Sequence, residues 1–167
     1  MKNLLILGAG GHGQVVKEIA IVCGYEPKAI SFLDDNAPNV VGKIKEAPYL
    51  APNYDGVIIA IGNNSLRRDI SEKLECFEGI NIVTLIHPTA YVSPTAVIGK
   101  GTVVEPKAVI NANSKIGEGC IVSVGAIVDH DSNVGFFSHI NAGAICMAGS
   151  KIEKLTKVNA GEIIKGY

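Results

Sequence analysis

From residue 86 onward an aliphatic side chain recurs every six positions: Ile86, Val92, Ile98, Val104, Ile110, Ile116, Val122, Val128, Val134 and Ile140. The register runs on through Cys146 to Ile152, Val158 and Ile164. Two positions before most of these sits a small residue, such as Ala96, Thr102, Ala108, Ser114, Cys120, Ala126 or Ser132. Gly99, Gly117 and Gly135 add a longer beat of eighteen, and Glu153 stands where the next glycine would fall. A helix turns every 3.6 residues and cannot keep one face on a six-residue beat. A hairpin sheet would alternate every two residues between turn clusters. Six nested in eighteen fits a prism of three flat faces, in which each hexad supplies one short strand and one corner. The aliphatic residue points inward, the small residue fits where the chain turns, and stacked coils bury a column of Ile and Val.

Residues 1–85 follow a different pattern. An apolar run over 3–7 (NLLIL) reads as a buried strand. Apolar residues at helical spacing over 14–23 predict a helix ending at Gly24. Strands are expected over 28–33 (KAISFL) and 56–61 (GVIIAI), then a helix over 65–77 capped by Ser65, then a strand over 80–86. This β-α-β-β-α-β order predicts a small parallel sheet with helices on its faces. The expected fold is therefore α/β plus all-β: a Rossmann-like domain over 1–85 and a hexapeptide-repeat β-helix over 86–167.

Composition narrows the function classes. Apolar residues make up 47% and charged residues 19% of the 167, which favours a packed core over disorder. A net charge of −1 offers no basic stripe for nucleic acid. No apolar run approaches the ~20 residues that span a bilayer. Cys23, Cys76, Cys120 and Cys146 include no C-x-x-C pair, so no metal site is expected and a cytoplasmic protein with reduced thiols is.

Gly8, Gly10 and Gly13 fit G-x-G-x-x-G directly after the first apolar run. That spacing lets backbone N–H groups at a helix N-terminus face a phosphate. Asp34, some 20 residues on, suits a ribose or base contact. A dinucleotide fold needs two mononucleotide halves, and only one precedes the prism. One half suits a nucleoside diphosphate. Asn63 and Asn64 end the third strand, where open α/β sheets bind ligands, and Arg67 lies in the following helical turn. A cation there is unfavourable to the helix dipole, which points to a phosphate role. In Asp129-His130-Asp131, an imidazole that titrates near neutrality suits removal of a proton from an attacking group. An adjacent carboxylate would fix its tautomer. His139 is half a coil away from His130 and should lie on another side of the prism.

GAGGHG (8–13), FLDD (32–35), IAIGNN (59–64) with Arg67, HPTAYVSPTAVIG (87–99) and VDHDSNVGFFSH (128–139) occur in that order. Together they resemble the sugar acetyltransferase family that joins a nucleotide-sugar-binding α/β domain to a left-handed β-helix. That family includes bacillosamine-type UDP-amino-sugar N-acetyltransferases and sialic acid O-acetyltransferases. The resemblance implies that Gly10, Gly11, His12 and Gly13 hold the diphosphate of a nucleotide sugar. Asp34 and Asp35 contact its uracil end, with Gly62, Asn63, Asn64 and Arg67 completing the substrate set. It implies His130 as the base and Asp131 as its partner. His139, Gly143, Ala148 and Gly149 are implied to bind acetyl-CoA, the co-substrate. It further implies a homotrimer with active sites between subunits.

The expected activity is acetyl transfer from acetyl-CoA to a UDP-linked amino sugar for surface glycan synthesis. A sialic-acid-type O-acetyltransferase is the alternative within the class, because a histidine base serves either acceptor. Family members continue for further coils that help hold coenzyme A, whereas here the repeat degrades at Glu153-Lys154-Leu155. A prism short at its C-terminal end therefore motivates a third expectation, a non-catalytic nucleotide-sugar-binding trimer.

Overall fold

The four-residue runs LLIL, ISFL and GVII carry the first sheet. In the computed structural model, which describes residues 2–167, they form parallel strands β1 (Leu4–Leu7), β2 (Ile30–Leu33) and β3 (Gly56–Ile59) in the order β2-β1-β3. Every residue of β1 is fully buried, as a central parallel strand covered on both faces requires. Helix α1 (Gly11–Val22) follows β1 and buries Gly13, Val16, Ile19 and Ala20, one stripe at helical spacing. A short helix α2 (Ala47–Leu50) lies between β2 and β3, and α3 (Asn64–Glu75) follows β3. Contacts divide the chain into two compact units, Met1–Val83 and Thr84–Tyr167.

Several element boundaries differ from the sequence reading, each for a local reason. Helix α1 begins at Gly11, three residues early, because the backbone of the glycine loop itself provides the first turn. A 3-10 turn over Pro27–Ala29 replaces the start of β2, since proline fixes φ in the helical range. Ser65 does not cap α3. Asn63 does, its side chain accepting the Leu66 N–H at 3.0 Å. The strand expected over 80–86 is absent as one element. Ile82 makes a single parallel bridge to Val57, and Leu85–Ile86 is already the first strand of the second unit.

That second unit is the expected prism. One face stacks Leu85–Ile86, Val103–Val104, Ile121–Val122, His139–Ile140 and Lys157–Val158. The next stacks Tyr91–Val92, Val109–Ile110, Ile127–Val128, Ile145–Cys146 and Ile163–Ile164. The third stacks Val97–Ile98, Lys115–Ile116, Asn133–Val134 and Lys151–Ile152. All pairings are parallel with an eighteen-residue offset, such as Ile121 with His139. The inward column from Val104 to Ile140 is essentially inaccessible to solvent, at about 1.5–3 kcal/mol for each Val or Ile side chain. The small residues two positions earlier also lie inside. Thr102, Ser114, Ser132 and Ser138 are buried, and their hydroxyls donate to the carbonyls of Gly117, Asp129, Met147 and Glu153 on the next coil. Smallness here admits a second, hydrogen-bonded column beside the aliphatic one.

Gly99, Gly117 and Gly135 mark close contact between coils. A Cβ at Gly99 would lie 2.4 Å from the Glu118 nitrogen, and one at Gly135 2.4 Å from the Lys154 nitrogen. At the corners the chain enters the left-handed region every six residues, so each corner column repeats every eighteen. One such column holds Asn113 (φ 59°), Asp131 (φ 57°) and Gly149 (φ 70°).

Candidate functional site

The corner after strand Ile127–Val128 carries the titratable cluster. His130 Nδ1 and Asp131 Oδ2 are 2.8 Å apart. Asp129 Oδ1 accepts the His130 backbone N–H at 2.8 Å, closing a tight loop around the histidine. Asn111 and Asn113, eighteen residues earlier, donate side-chain N–H groups to Asp129 Oδ1 (3.0 Å) and Asp131 Oδ1 (3.1 Å). The His130 and Asp131 side chains are 45% and 47% exposed, open to a reactant. The bond to Asp131 chiefly holds the His130 pKa above its ordinary value, and the charges of Asp129 and Asp131 add to the effect. Bonds from His130 and then Asn113 hold Asp131 below the usual carboxylate range. This is an imidazole with one ring nitrogen tied to a carboxylate and the other available as a proton acceptor.

His139 lies on a different face of the prism, in strand His139–Ile140, with Nε2 2.9 Å from Ser123 Oγ. Gly143 turns the corner that follows that strand, its N–H donating to Val124 O. Ala148 and Gly149 instead sit one coil beyond His130, and Gly149 N–H donates to His130 O at 2.9 Å. The four expected cofactor residues thus fall into two groups within one chain. The Tyr167 ring packs on Gly149, where a Cβ would lie 1.9 Å from it. His87, at the start of the prism, accepts from Thr89 N–H at 3.1 Å and shapes its own corner. Burial pushes the Cys146 thiol up to about 11, so it is protonated at neutral pH and a poor nucleophile.

In the first unit the loops after β1, β2 and β3 leave the same edge of the parallel sheet. A Cβ at Gly13 would lie 2.1 Å from Gly8 O, so this glycine permits α1 to start against the loop. Gly10 and Gly11 have open space around them, and Gly10 caps α1 without a side-chain acceptor or an acidic residue in the first turn. The N-terminal N–H groups of α1 carry the partial positive charge that suits an anion. His12 is half-buried in that first turn.

Asp34 is spent on the protein. It accepts Ala9 N–H at 2.8 Å, Asn36 N–H at 2.8 Å and Ala37 N–H at 2.9 Å, and these bonds hold its carboxyl below the usual range. Asp35 is exposed and accepts Ile44 N–H at 3.1 Å. A cavity of about 590 Å³ opens on the third prism face over Lys115, Asn133, Phe136 and Lys151. Another of about 470 Å³ lies beside the glycine loop, lined by Ala9, Gln14, Lys17, Phe32, Pro38 and Asn39 among others. Sequence reasoning passed over Gln14, Lys17 and the 38–41 loop. Their only signal was adjacency to the glycine motif and to FLDD.

Arg67, expected from the sequence to serve a phosphate, lies inside the first unit. It is 1% exposed, and its guanidinium donates to Ile61 O at 2.7 Å and Asn64 Oδ1 at 2.9 Å. The inward stripe of α3 is Asn64, Arg67, Ser71 and Leu74, so the arginine falls on the core side and pins the strand-to-helix turn. Gly62 is exposed in that turn. Among the described residues no cluster of metal-ligating side chains occurs, and no helix is long and apolar enough to cross a membrane.

Residues 3–74 match the PglD N-terminal domain family. Over 113 residues the chain is 38% identical to the UDP-N-acetylbacillosamine N-acetyltransferase of Bacillus subtilis. That alignment covers 62% of this chain and 51% of the relative, so the chain spans about half the length of this curated relative. Among solved structures, the acetyltransferase domain of PglB from Neisseria gonorrhoeae, in complex with acetyl coenzyme A, matches with a TM-score of 0.84 and 34% identity. The match covers 99% of this chain and 91% of that one. PerB from Caulobacter crescentus, in complex with CoA and GDP-perosamine, matches with a TM-score of 0.84 and 30% identity, covering 99% and 90%.

Proposed function

The chain belongs to the sugar acetyltransferases that join a PglD-type N-terminal domain to a left-handed β-helix, and from that membership we propose that it acetylates the amine of a nucleotide-linked amino sugar with acetyl-CoA. The observation that carries this reading is the exposed His130–Asp131 pair, 2.8 Å apart on the prism corner. The glycine loop, with Gly10, Gly11, His12 and Gly13, binds the diphosphate, and Asp35 and Gly62 face the rest of the nucleotide sugar. A UDP-linked acceptor is the proposed substrate.

In the proposed reaction the amine lone pair attacks the thioester carbonyl carbon. His130 Nε2 takes the amine proton as the N–C bond forms. The tetrahedral intermediate expels coenzyme A as thiolate, and the proton on His130 returns to that sulfur. The products are the N-acetyl sugar and free coenzyme A, with no covalent enzyme intermediate. Asp131 keeps Nδ1 protonated, so that Nε2 carries the lone pair. His139, Gly143, Ala148 and Gly149 are proposed to hold acetyl-CoA across subunits of a homotrimer. The split of these residues between two parts of one chain supports that assembly, since a three-fold axis can bring His139 of one copy to His130 of the next.

The test is thiol release from acetyl-CoA on addition of UDP- and GDP-linked amino sugars. Release is expected with the native chain and is expected to fall by about 10²–10⁴ in His130→Ala. Tight nucleotide-sugar binding with neither thiol release nor coenzyme A binding would overturn the reading in favour of a binding protein.

A further inference from the structure

Two aspartates flank His130, and both are held from the coil beneath. Asn111 Nδ2 donates to Asp129 Oδ1 at 3.0 Å and Asn113 Nδ2 to Asp131 Oδ1 at 3.1 Å. Asn113 is itself fixed, its backbone N–H donating to Thr95 Oγ at 3.0 Å. A hydrogen-bonded line therefore runs from Thr95 through Asn113 and Asp131 to His130 across three successive coils.

We propose that Asn113, with Asn111 beside it, is a positioning residue for His130, aiming the carboxylate that orients the imidazole. This rests on the reading of His130 as the transfer base. The corner column supplies an independent reason. Positions on such columns adopt positive φ, and the neighbouring column, after Lys107, uses glycine at Gly125, Gly143 and Gly161. Asparagine and aspartate are the side-chain-bearing residues that best tolerate this conformation. Asn113 and Asp131 thus meet the backbone requirement while keeping a polar side chain, and those side chains bond each other. Glycine would turn the same corner and leave Asp131 unaimed.

The charged groups facing His130 are Asp129 and Asp131. The coil beneath offers the neutral amides of Asn111 and Asn113. The coil beyond offers Met147, Ala148 and Gly149, with the Tyr167 ring on Gly149.

Two variants keep the left-handed corner and differ in chemistry. Asn113→Gly deletes the amide, and Asn113→Asp sets a second carboxylate against Asp131. The measurement is the NMR titration of the His130 imidazole in the full chain, alongside kcat, KM and the pH profile of thiol release. In Asn113→Gly the His130 titration and the acid limb are expected to move to lower pH. Its kcat is expected to fall about tenfold with KM held, in line with the loss of an outer partner to an oriented histidine. In Asn113→Asp both are expected to move to higher pH. A His130 titration unchanged in both variants overturns the proposal, whatever happens to turnover. Absence of thiol release from the native chain would instead overturn the transfer reading, and the NMR titration would still decide whether Asn113 positions His130.

Discussion

His130 and Asp131 are adjacent in the chain, yet their side chains meet at 2.8 Å because Asp131 occupies the left-handed region at φ 57°. The turn swings the carboxylate back onto the ring nitrogen of the preceding residue. A base must be deprotonated to act, so the raised His130 pKa predicts an acid limb of kcat/KM above the ordinary histidine value of about 6.5. Asp131→Asn removes the charge, so the limb should fall to lower pH and kcat by about 10²-fold. A limb that stays put in this variant would mean that Asp131 does not tune the base.

Gly13 and Gly10 separate packing from binding. Gly13→Ala drives a Cβ against Gly8 O and should destabilise the first unit by about 1–3 kcal/mol or more, read by chemical denaturation. Gly10→Ala meets nothing within 4 Å and has ordinary extended backbone at φ −72°. Its stability should hold while nucleotide-sugar affinity drops, measured by calorimetry.

Asp34→Ala should free the Ala9 loop and cost about 1 kcal/mol, the typical loss of a charged acceptor from backbone N–H groups at a half-exposed site. The folded-state pKa of Asp34 is depressed. Its stabilisation is therefore present above the ordinary carboxylate value of about 3.9 and is lost as pH falls through the lowered value. Native and variant stability curves should be separate at neutral pH and converge in acid. A constant gap down through the acid range would show that the carboxylate charge is not what matters.

Arg67→Ala leaves Ile61 O and Asn64 Oδ1 short of a buried donor, and a loss of about 2–4 kcal/mol is expected. Arg67→Lys keeps the charge but not the fork. It should lower the melting temperature while nucleotide-sugar affinity, measured well below that temperature, holds. The opposite pattern would restore Arg67 as a phosphate ligand.

His130→Ala and His139→Ala chains, each inactive alone, should regain activity when co-assembled, because in the proposed homotrimer a mixed assembly would re-form an intact pair across a subunit boundary. Activity that never returns would refute shared sites.

The prism was legible because its constraint repeats: one inward side chain per hexad fixes strand, corner and face together. The first unit was less legible where tertiary contacts override local preference. Asn63 outcompetes Ser65 as the cap of α3, and the 80–86 run splits between two units at Val83 and Thr84. The burial of Arg67 was not legible from its charge, although its spacing from Ser71 and Leu74 puts it on the inward stripe. The His130–Asp131 pair was legible as neighbours in sequence. The amides beneath it were not, since eighteen residues separate each rung and only the coil repeat brings them together.

The same geometry limits how a gene for this prism can be edited. Loss or gain of one hexad between Asn113 and Asp131 would keep every aliphatic residue facing inward and leave the solenoid foldable. It would also rotate all that follows by a third of a turn, parting Asn113 from Asp131 and setting Gly117 under the wrong corner. A whole coil of eighteen residues added there would restore the faces to register but would still set Asp131 two coils from Asn113. Hydrophobic burial alone therefore accepts changes of length that the amide supports of the histidine do not.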